Sequence, residues 1–257
     1  MIQSVDRALR ILAVLQGRRM SLGEIASRLE LAPSTVHGIV RTLLAHGMVV
    51  QEPDSGHYRL GPATLRLGNV YLDTLELRAR VAGWAPELAR RTGCAVRAGV
   101  LLHRDVVVVV HEPRPDGTRQ MPEVGIVIPA HACALGKALL AHEPAAVPAA
   151  LPSMTGATIT ERAALEAELA QVRRTGIATE VEEAVLGECG LAAPLADATG
   201  LAGAVGLVTP SSSWPLPGSA LDALRDIARA VSRELGATAW PPTPTALPGS
   251  LPGSATA

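Results

Sequence analysis

Ser34, Thr35, His37, Gly38, Arg41 and Thr42 share one side of any helix that turns Val36, Ile39, Val40, Leu43 and Leu44 the other way. The apolar set recurs at i, i+3, i+4, i+7 and i+8, the spacing of a buried helical stripe. What remains outside is three hydroxyls, an imidazole and a guanidinium. Such groups bond phosphate oxygens and base edges, and an arginine can neutralise a phosphate or read guanine. Any amphipathic helix exposes residues of these types, so the chemistry depends on what braces this one.

The bracing is legible on both sides. Ser21 followed by Glu24 is a capping box, and Leu22, Ile25, Ala26 and Leu29 form the apolar face of the helix it opens. A short break from Glu30 to Pro33 leads to the second helix, expected to start at Ser34. Beyond Gly47, Met48–Gln51 and His57–Leu60 flank a Pro53–Gly56 turn and read as a β-hairpin that carries Arg59. Ahead of these, Val5, Ala8, Leu9, Leu12 and Leu15 recur at helical spacing, with Ser4 placed to cap. Three helices and a hairpin in this order predict a winged helix-turn-helix over residues 1–61, with the motif near 21–40. Arg7, Arg10, Arg18, Arg19, Arg28, Arg41 and Arg59 outnumber Asp6, Glu24, Glu30, Glu52 and Asp54 by only two. So weak a positive charge points to dimers on paired half-sites of duplex DNA.

Pro62 to Leu77 is helical in pattern but apolar on more than one side, through Leu65, Leu67, Val70, Tyr71, Leu72 and Leu75. It reads as a connector (62–78) that packs against a second subunit, or else as a helix buried within a second domain. From about residue 80 strands and helices alternate. Strands are expected at 95–102, 106–111, 178–183, 191–196 and 201–208. Helices are expected from His131 to His142, from Thr160 to Arg174, and from Ser219, capped with Asp222, to Leu235. This predicts an α+β or α/β sensor-like domain over 79–238. The Pro, Gly, Ser and Thr content of 239–257 predicts a disordered tail.

A second set of residues could do chemistry in that domain. Cys133 or Cys189 with His131 could make a thiol nucleophile and its base, and His103, His111, His131 and Cys133 could gather a metal. Neither has supporting spacing: no G-x-S-x-G, phosphate-binding G-x-x-x-x-G-K or C-x-x-C accompanies them. A metal- or redox-responsive regulator and a cysteine-dependent enzyme stay as alternatives to a cofactor-free regulator. Glu180, Glu182 and Glu183 suit either a solvated strand edge or a ligand's hydroxyls, and Lys137 either an approach to an anion or a snorkelling side chain. The composition bounds the rest. With 48% hydrophobic residues, no Phe and a net charge of −1, the core must be aliphatic, and basic surface must be local. Asp6, Arg7 and Arg10 interrupt the first apolar stretch, which excludes a secretory signal. No apolar run reaches the roughly 18 residues of a membrane span, so a cytoplasmic protein is expected.

Ser4-Val5-Asp6-Arg7-Ala8-Leu9, Ser34-Thr35-Val36-His37, Tyr58-Arg59-Leu60-Gly61 and the run from Pro129 to Lys137 resemble the IclR family of bacterial regulators. Glu182-Glu183 with Gly187, and Leu191-Ala192-Ala193-Pro194, continue the likeness. The resemblance spans about residues 2–236. It implies a winged helix-turn-helix, a dimerising linker helix and a GAF-like effector domain, in a homodimer or dimer of dimers. Leu65-Arg66-Leu67-Gly68-Asn69, Arg114-Pro115-Asp116 and Glu123-Val124-Gly125 are most similar to glycerol-operon regulators. The family pattern implies an effector pocket near Ala134, Leu135, Glu180 and Gly190, with His131 open between a ligand contact and a capping or core role. The helix N-terminus there is expected to seat an anion, which makes glycerol 3-phosphate the leading candidate effector. Two departures stand out. Family reading helices often carry a basic residue at the place of Pro33 and an Arg at the place of Gly38, and the Cys common before Leu191 is Gly190.

Overall fold

The first helix begins one residue earlier than its expected cap. In the computed structural model, which describes residues 2–242, α1 spans Gln3–Val14 with Ile2 at the N-cap. Ser4 lies inside the helix and caps nothing. Its apolar residues also divide differently from the expected stripe. Ile11 and Leu15 are buried, whereas Val5 and Leu9 are 53% and 62% exposed beside Ile2. The helix thus has two apolar faces, one for its own core.

The next elements follow the sequence closely. α2 (Leu22–Leu29) opens on the full capping box, with the Ser21 side chain accepting from Glu24 N–H and Glu24 accepting from Ser21 N–H. α3 (Pro33–Ala45) starts one residue before Ser34, with Ala32 as N-cap. Proline at the first helical position loses no hydrogen bond and arrives with φ preset, which explains the shift. Val36, Val40 and Leu43 are its buried residues. β1 (Val49–Gln51) and β2 (Tyr58–Leu60) form the antiparallel wing. Backbone bonds between Met20 and Tyr58, at 2.7 and 3.0 Å, tie the wing to the segment before α2. Ile11, Leu15, Ile25, Val36, Val40, Val49 and Tyr58 make the core of this unit.

α4 (Pro62–Thr74) ends earlier than the expected Leu77 and has no buried residue. Leu75 takes an extended conformation, and α5 runs from Glu76 to Thr92. α5 was not among the expected helices, although Leu77, Val81, Ala85 and Leu88, four of its five buried residues, recur at helical spacing. Internal Pro86 and the arginines around it mask the pattern. Contacts divide the chain into two units, after Thr74.

The second unit is built on one six-stranded sheet in the order β5-β4-β3-β8-β7-β6. The strands are β3 (Ala95–Leu102), β4 (Asp105–Glu112), β5 (Val127–Pro129), β6 (Ala178–Val181), β7 (Glu188–Ala196) and β8 (Leu201–Pro210). Every neighbouring pair is antiparallel, which puts the domain on the α+β side of the expected class. β5 was not expected, β6 stops short of Glu183, and β7 starts before Leu191. α6 (Ala134–Leu140) and α7 (Arg162–Thr175) pack with Ala178, Ala192 and Ala204 in one core, while α5 packs on α8 (Gly218–Glu234) and against β3 and β4. β7 is accordingly buried at every position after its first.

Three local expectations are corrected here. The helix expected from His131 is a 3-10 turn, Ala130–Ala132, followed by α6, with Cys133 as its N-cap. Gly136 is the reason the chain can fold so tightly: a Cβ there would stand 2.1 Å from the Ala130 carbonyl oxygen. Ser219 caps nothing, since α8 begins at Gly218 behind Pro217. Of the expected tail, 243–257 lies outside the described residues. Trp240 is tied down, its Nε1 donating to Pro194 O at 2.8 Å and its ring 5.0 Å from the Arg229 guanidinium.

Candidate functional site

The outward face of α3 is the one the apolar stripe dictates. Ser34, His37, Gly38, Arg41 and Thr42 are exposed, and Thr35 is half-buried. No side chain caps the N-terminus of α3, so its free end stays open to an anion. The Thr42 hydroxyl donates to the Gly38 carbonyl at 3.2 Å, which leaves it an acceptor outward. The fold gathers arginines beside the wing. Arg18, Arg19 and Arg59 line one shallow hollow of about 240 Å³. Glu52 Oε1 lies 3.3 Å from Arg19 Nε and 3.5 Å from Arg59 Nε, so one carboxylate orients two guanidinium groups. Arg18 and Arg19 were missed because the Met20–Tyr58 pairing that brings them to the wing leaves no local signal.

The second candidate is a cavity of about 300 Å³ in the other unit. Ile126, Val127, Ile128 and Met154 supply apolar wall, while Arg97, Glu123, Glu180 and Glu188 are its charged lining. A narrow hollow of about 10 Å³ shares Arg97, Ile128, Cys133 and Glu180 with it, and adds Ala134, Leu135 and Gly190. The structure therefore brings together four of the five residues that the resemblance implied. Gly190 leaves the space: a Cβ there would meet Leu207 O at 3.0 Å and stand 3.8 Å from Glu180 Oε2. His131 is the exception. It is buried, and its Nε2 is 3.0 Å from the Pro152 carbonyl oxygen, a core role instead of a pocket one.

The expected anion seat at the start of α6 is already filled from within the chain. Glu180 Oε2 accepts the Ala134 N–H at 3.1 Å, and its Oε1 accepts the Ala184 N–H at 3.2 Å. Burial raises the Glu180 carboxyl, and these two amide bonds work against that rise. The Gly136 N–H is taken by Cys133 Sγ at 3.3 Å. Lys137 neither approaches an anion in the cavity nor snorkels. Fully buried, its Nζ lies 2.6 Å from Glu168 and 2.7 Å from Glu183. Burial also raises the Glu183 carboxyl, opposed chiefly by Lys137.

Arg97, Glu123 and Glu188 were not singled out from the sequence. The Arg97 guanidinium takes Glu123 in a two-pronged ion pair and reaches Glu188 Oε2 at 3.2 and 3.3 Å. Burial opposes its charge, but the bonds to Glu123 and the attraction of Glu188 raise its pKa further still. The three residues come from β3, the loop before β5, and β7, so only the folded sheet unites them.

The cysteine arrangement does not suit nucleophilic chemistry. Cys94, Cys133 and Cys189 are free and buried. Burial, and secondarily Glu180, push the Cys133 thiol up to about 12, which starves it of thiolate. Its supposed base, His131, is engaged with Pro152. Among the described residues, no three or more His, Cys, Asp or Glu side chains are grouped to hold a metal ion. None of the described helices is long and apolar enough to cross a membrane.

A winged helix-turn-helix followed by a sheet domain with a cavity of charged and apolar lining defines a DNA-binding transcription regulator of the ligand-sensing kind. Residues 4–53 match the IclR helix-turn-helix domain, and residues 69–233 match the bacterial transcriptional regulator IclR C-terminal domain. The chain is 46% identical over 247 residues to the glycerol operon regulatory protein of Streptomyces griseus, covering 92% of this chain and 97% of that one. It is 44% identical over 249 residues to the protein of the same name from Streptomyces coelicolor, with the same coverage. An IclR transcriptional regulator from Silicibacter sp. superposes with a TM-score of 0.79 at 27% identity, over 94% of this chain and all of that one. The chain belongs to the IclR family of bacterial transcription regulators, and its relatives are regulators, not enzymes.

Proposed function

We propose that this chain is a cytoplasmic repressor of glycerol catabolic genes whose hold on its operator is set by a small metabolite. The observation that carries this reading is the 46% identity, along nearly the whole chain, to a glycerol operon regulatory protein. Ser34, Thr35, His37, Gly38, Arg41 and Thr42 enter the major groove, and Arg59 with Arg18 and Arg19 meets flanking phosphates. The effector occupies the cavity beside Ala134, Leu135, Glu180 and Gly190. It is a three-carbon metabolite of the same catabolism, and glycerol 3-phosphate and glycerol are the two species to compare.

The working form is a homodimer or a dimer of dimers. Leu65, Leu67, Val70 and Tyr71 on α4 are each at least half exposed, as are Val5 and Leu9 on α1 and Ile2 at its N-cap. Apolar residues in such number on a helix with nothing buried ask for a second copy to cover them. The protomers then present two reading helices to paired half-sites. An operator shift with DNA from upstream of glycerol catabolic genes tests the assignment. Arg41→Ala should weaken binding and reduce the slope of log affinity against log salt by roughly one. An unaltered affinity and slope would take Arg41 off the interface. Sedimentation as a monomer at micromolar concentration, with and without operator, would remove the paired-site arrangement.

A further inference from the structure

The charged groups facing the effector cavity are unequal in number. Glu123, Glu180 and Glu188 line it, and Arg97 is the cation among the lining residues. That guanidinium is engaged on both sides, by Glu123 through Nε and Nη2 and by Glu188 through Nη1 and Nη2. Lys137 lies outside the lining and is paired with Glu168 and Glu183. Of the amides in the first turn of α6, those of Ala134 and Gly136 are likewise taken, by Glu180 and by Cys133 Sγ. Both cations near the cavity and the two outer amides of this turn are thus committed to partners within the chain.

From this lining, and resting on the reading of the cavity as the effector site, we infer that it takes an uncharged small polyol in preference to that polyol's phosphate ester. A phosphate would lie against three carboxylates with one shared cation, beside an apolar wall that weakens the screening of like charges by water. A polyol meets the same lining favourably. Each of the three carboxylates keeps lone pairs to accept a hydroxyl proton beyond its present bonds, Glu188 through Oε1, since its Oε2 already accepts twice from Arg97. The carbon skeleton faces Ile126, Val127, Ile128 and Met154. Glu188, whose side chain is 37% exposed, is the lining carboxylate most open to a ligand entering from outside, and is the specificity-determining residue of this scheme.

Isothermal titration of the full chain with glycerol, erythritol and glycerol 3-phosphate tests the inference, each ligand being repeated in the operator shift. The expected result is that at least one uncharged polyol binds tenfold or more tightly than glycerol 3-phosphate and alters operator affinity. Glu188→Gln, which removes the charge and keeps the size, should narrow that preference severalfold. Binding of glycerol 3-phosphate as tight as that of the polyols, or a preference unmoved by Glu188→Gln, overturns the inference and leaves the effector reading standing. If no ligand gives heat or changes operator affinity, the reading of a glycerol-derived effector falls and takes the inference with it.

Discussion

The two units handle charge in opposite ways. In the N-terminal unit the charged side chains stay at the surface, and the core around Ile11, Ile25, Val36, Val40, Val49 and Tyr58 holds no buried charge among the described residues. Its ion pairs, such as Arg19 with Glu52, hold an arginine that is 71% exposed. The C-terminal unit takes Lys137 fully inside and flanks a partly buried arginine, Arg97, with carboxylates. A surface that reads a charged polymer needs its cations exposed and hydrated, paired at most by a carboxylate at the surface. A cavity that discriminates small molecules needs its charges fixed and paired, because mobile ones would discriminate nothing. The difference has an energetic consequence. Surface pairs contribute little to stability, whereas breaking one partner of a buried pair strands a charge in low dielectric.

The sharpest test of this contrast is to break one pair in each unit. Lys137→Met leaves Glu183, 9% exposed, without its counter-charge, and should destabilise the chain by about 3–5 kcal/mol. Adding Glu183→Gln should recover much of that loss, since the stranded charge is then gone. Arg19→Met, by contrast, should cost about 0–1 kcal/mol. Denaturant unfolding followed by circular dichroism measures all three. Equal losses for Lys137→Met and Arg19→Met would erase the distinction between the units.

A smaller effect is expected where the N-terminal unit relies on local bonds. Ser21→Ala removes the acceptor of the Glu24 N–H, 3.3 Å away, and one half of the capping box. The expected loss is about 1 kcal/mol. Glu24→Ala combined with it should cost less than the two separate losses together, because both residues serve one motif. Strict additivity in thermal unfolding would show that the box does not act as a unit.

The same contrast explains what could be read from the sequence. α2, α3 and the wing declare themselves within a few residues, through a capping box, an apolar stripe and a turn, because their determinants are local. The errors there were small and chemical: Pro33 preempts Ser34, and Ile2 stands at the cap assigned to Ser4. The pocket was only half legible. Ala134, Leu135, Glu180 and Gly190 came from motif likeness. Arg97, Glu123 and Glu188 meet across sequence separations of 26 and 91 residues, which no periodicity records. Lys137 misled for a related reason. A lone lysine in an apolar helix looks like a snorkelling side chain until the fold supplies Glu183 from 46 residues away. α5 differs again, since the stripe of Leu77, Val81, Ala85 and Leu88 was present and obscured by Pro86.

The mildest change probes the outward face directly. Gly38 sits in the interior of α3, and a Cβ placed there meets no atom within 4 Å. Its φ is not in the left-handed region, so the fold has no conformational use for a glycine at this point. A glycine inside a helix costs about 0.5–1 kcal/mol relative to alanine. The helix therefore carries a small penalty that nothing within the unit requires, on the face assigned to the major groove. On the proposed placement of α3 in the major groove, close approach of its backbone to DNA would account for it. Gly38→Ala should raise the stability of the chain by about 0.5–1 kcal/mol while weakening its hold on the operator. The two measurements must move in opposite directions, which neither a packing defect nor a simple gain in helix propensity would produce. A more stable variant with unchanged operator affinity would place Gly38 away from the DNA, and would leave Arg41 and His37 to define the reading edge.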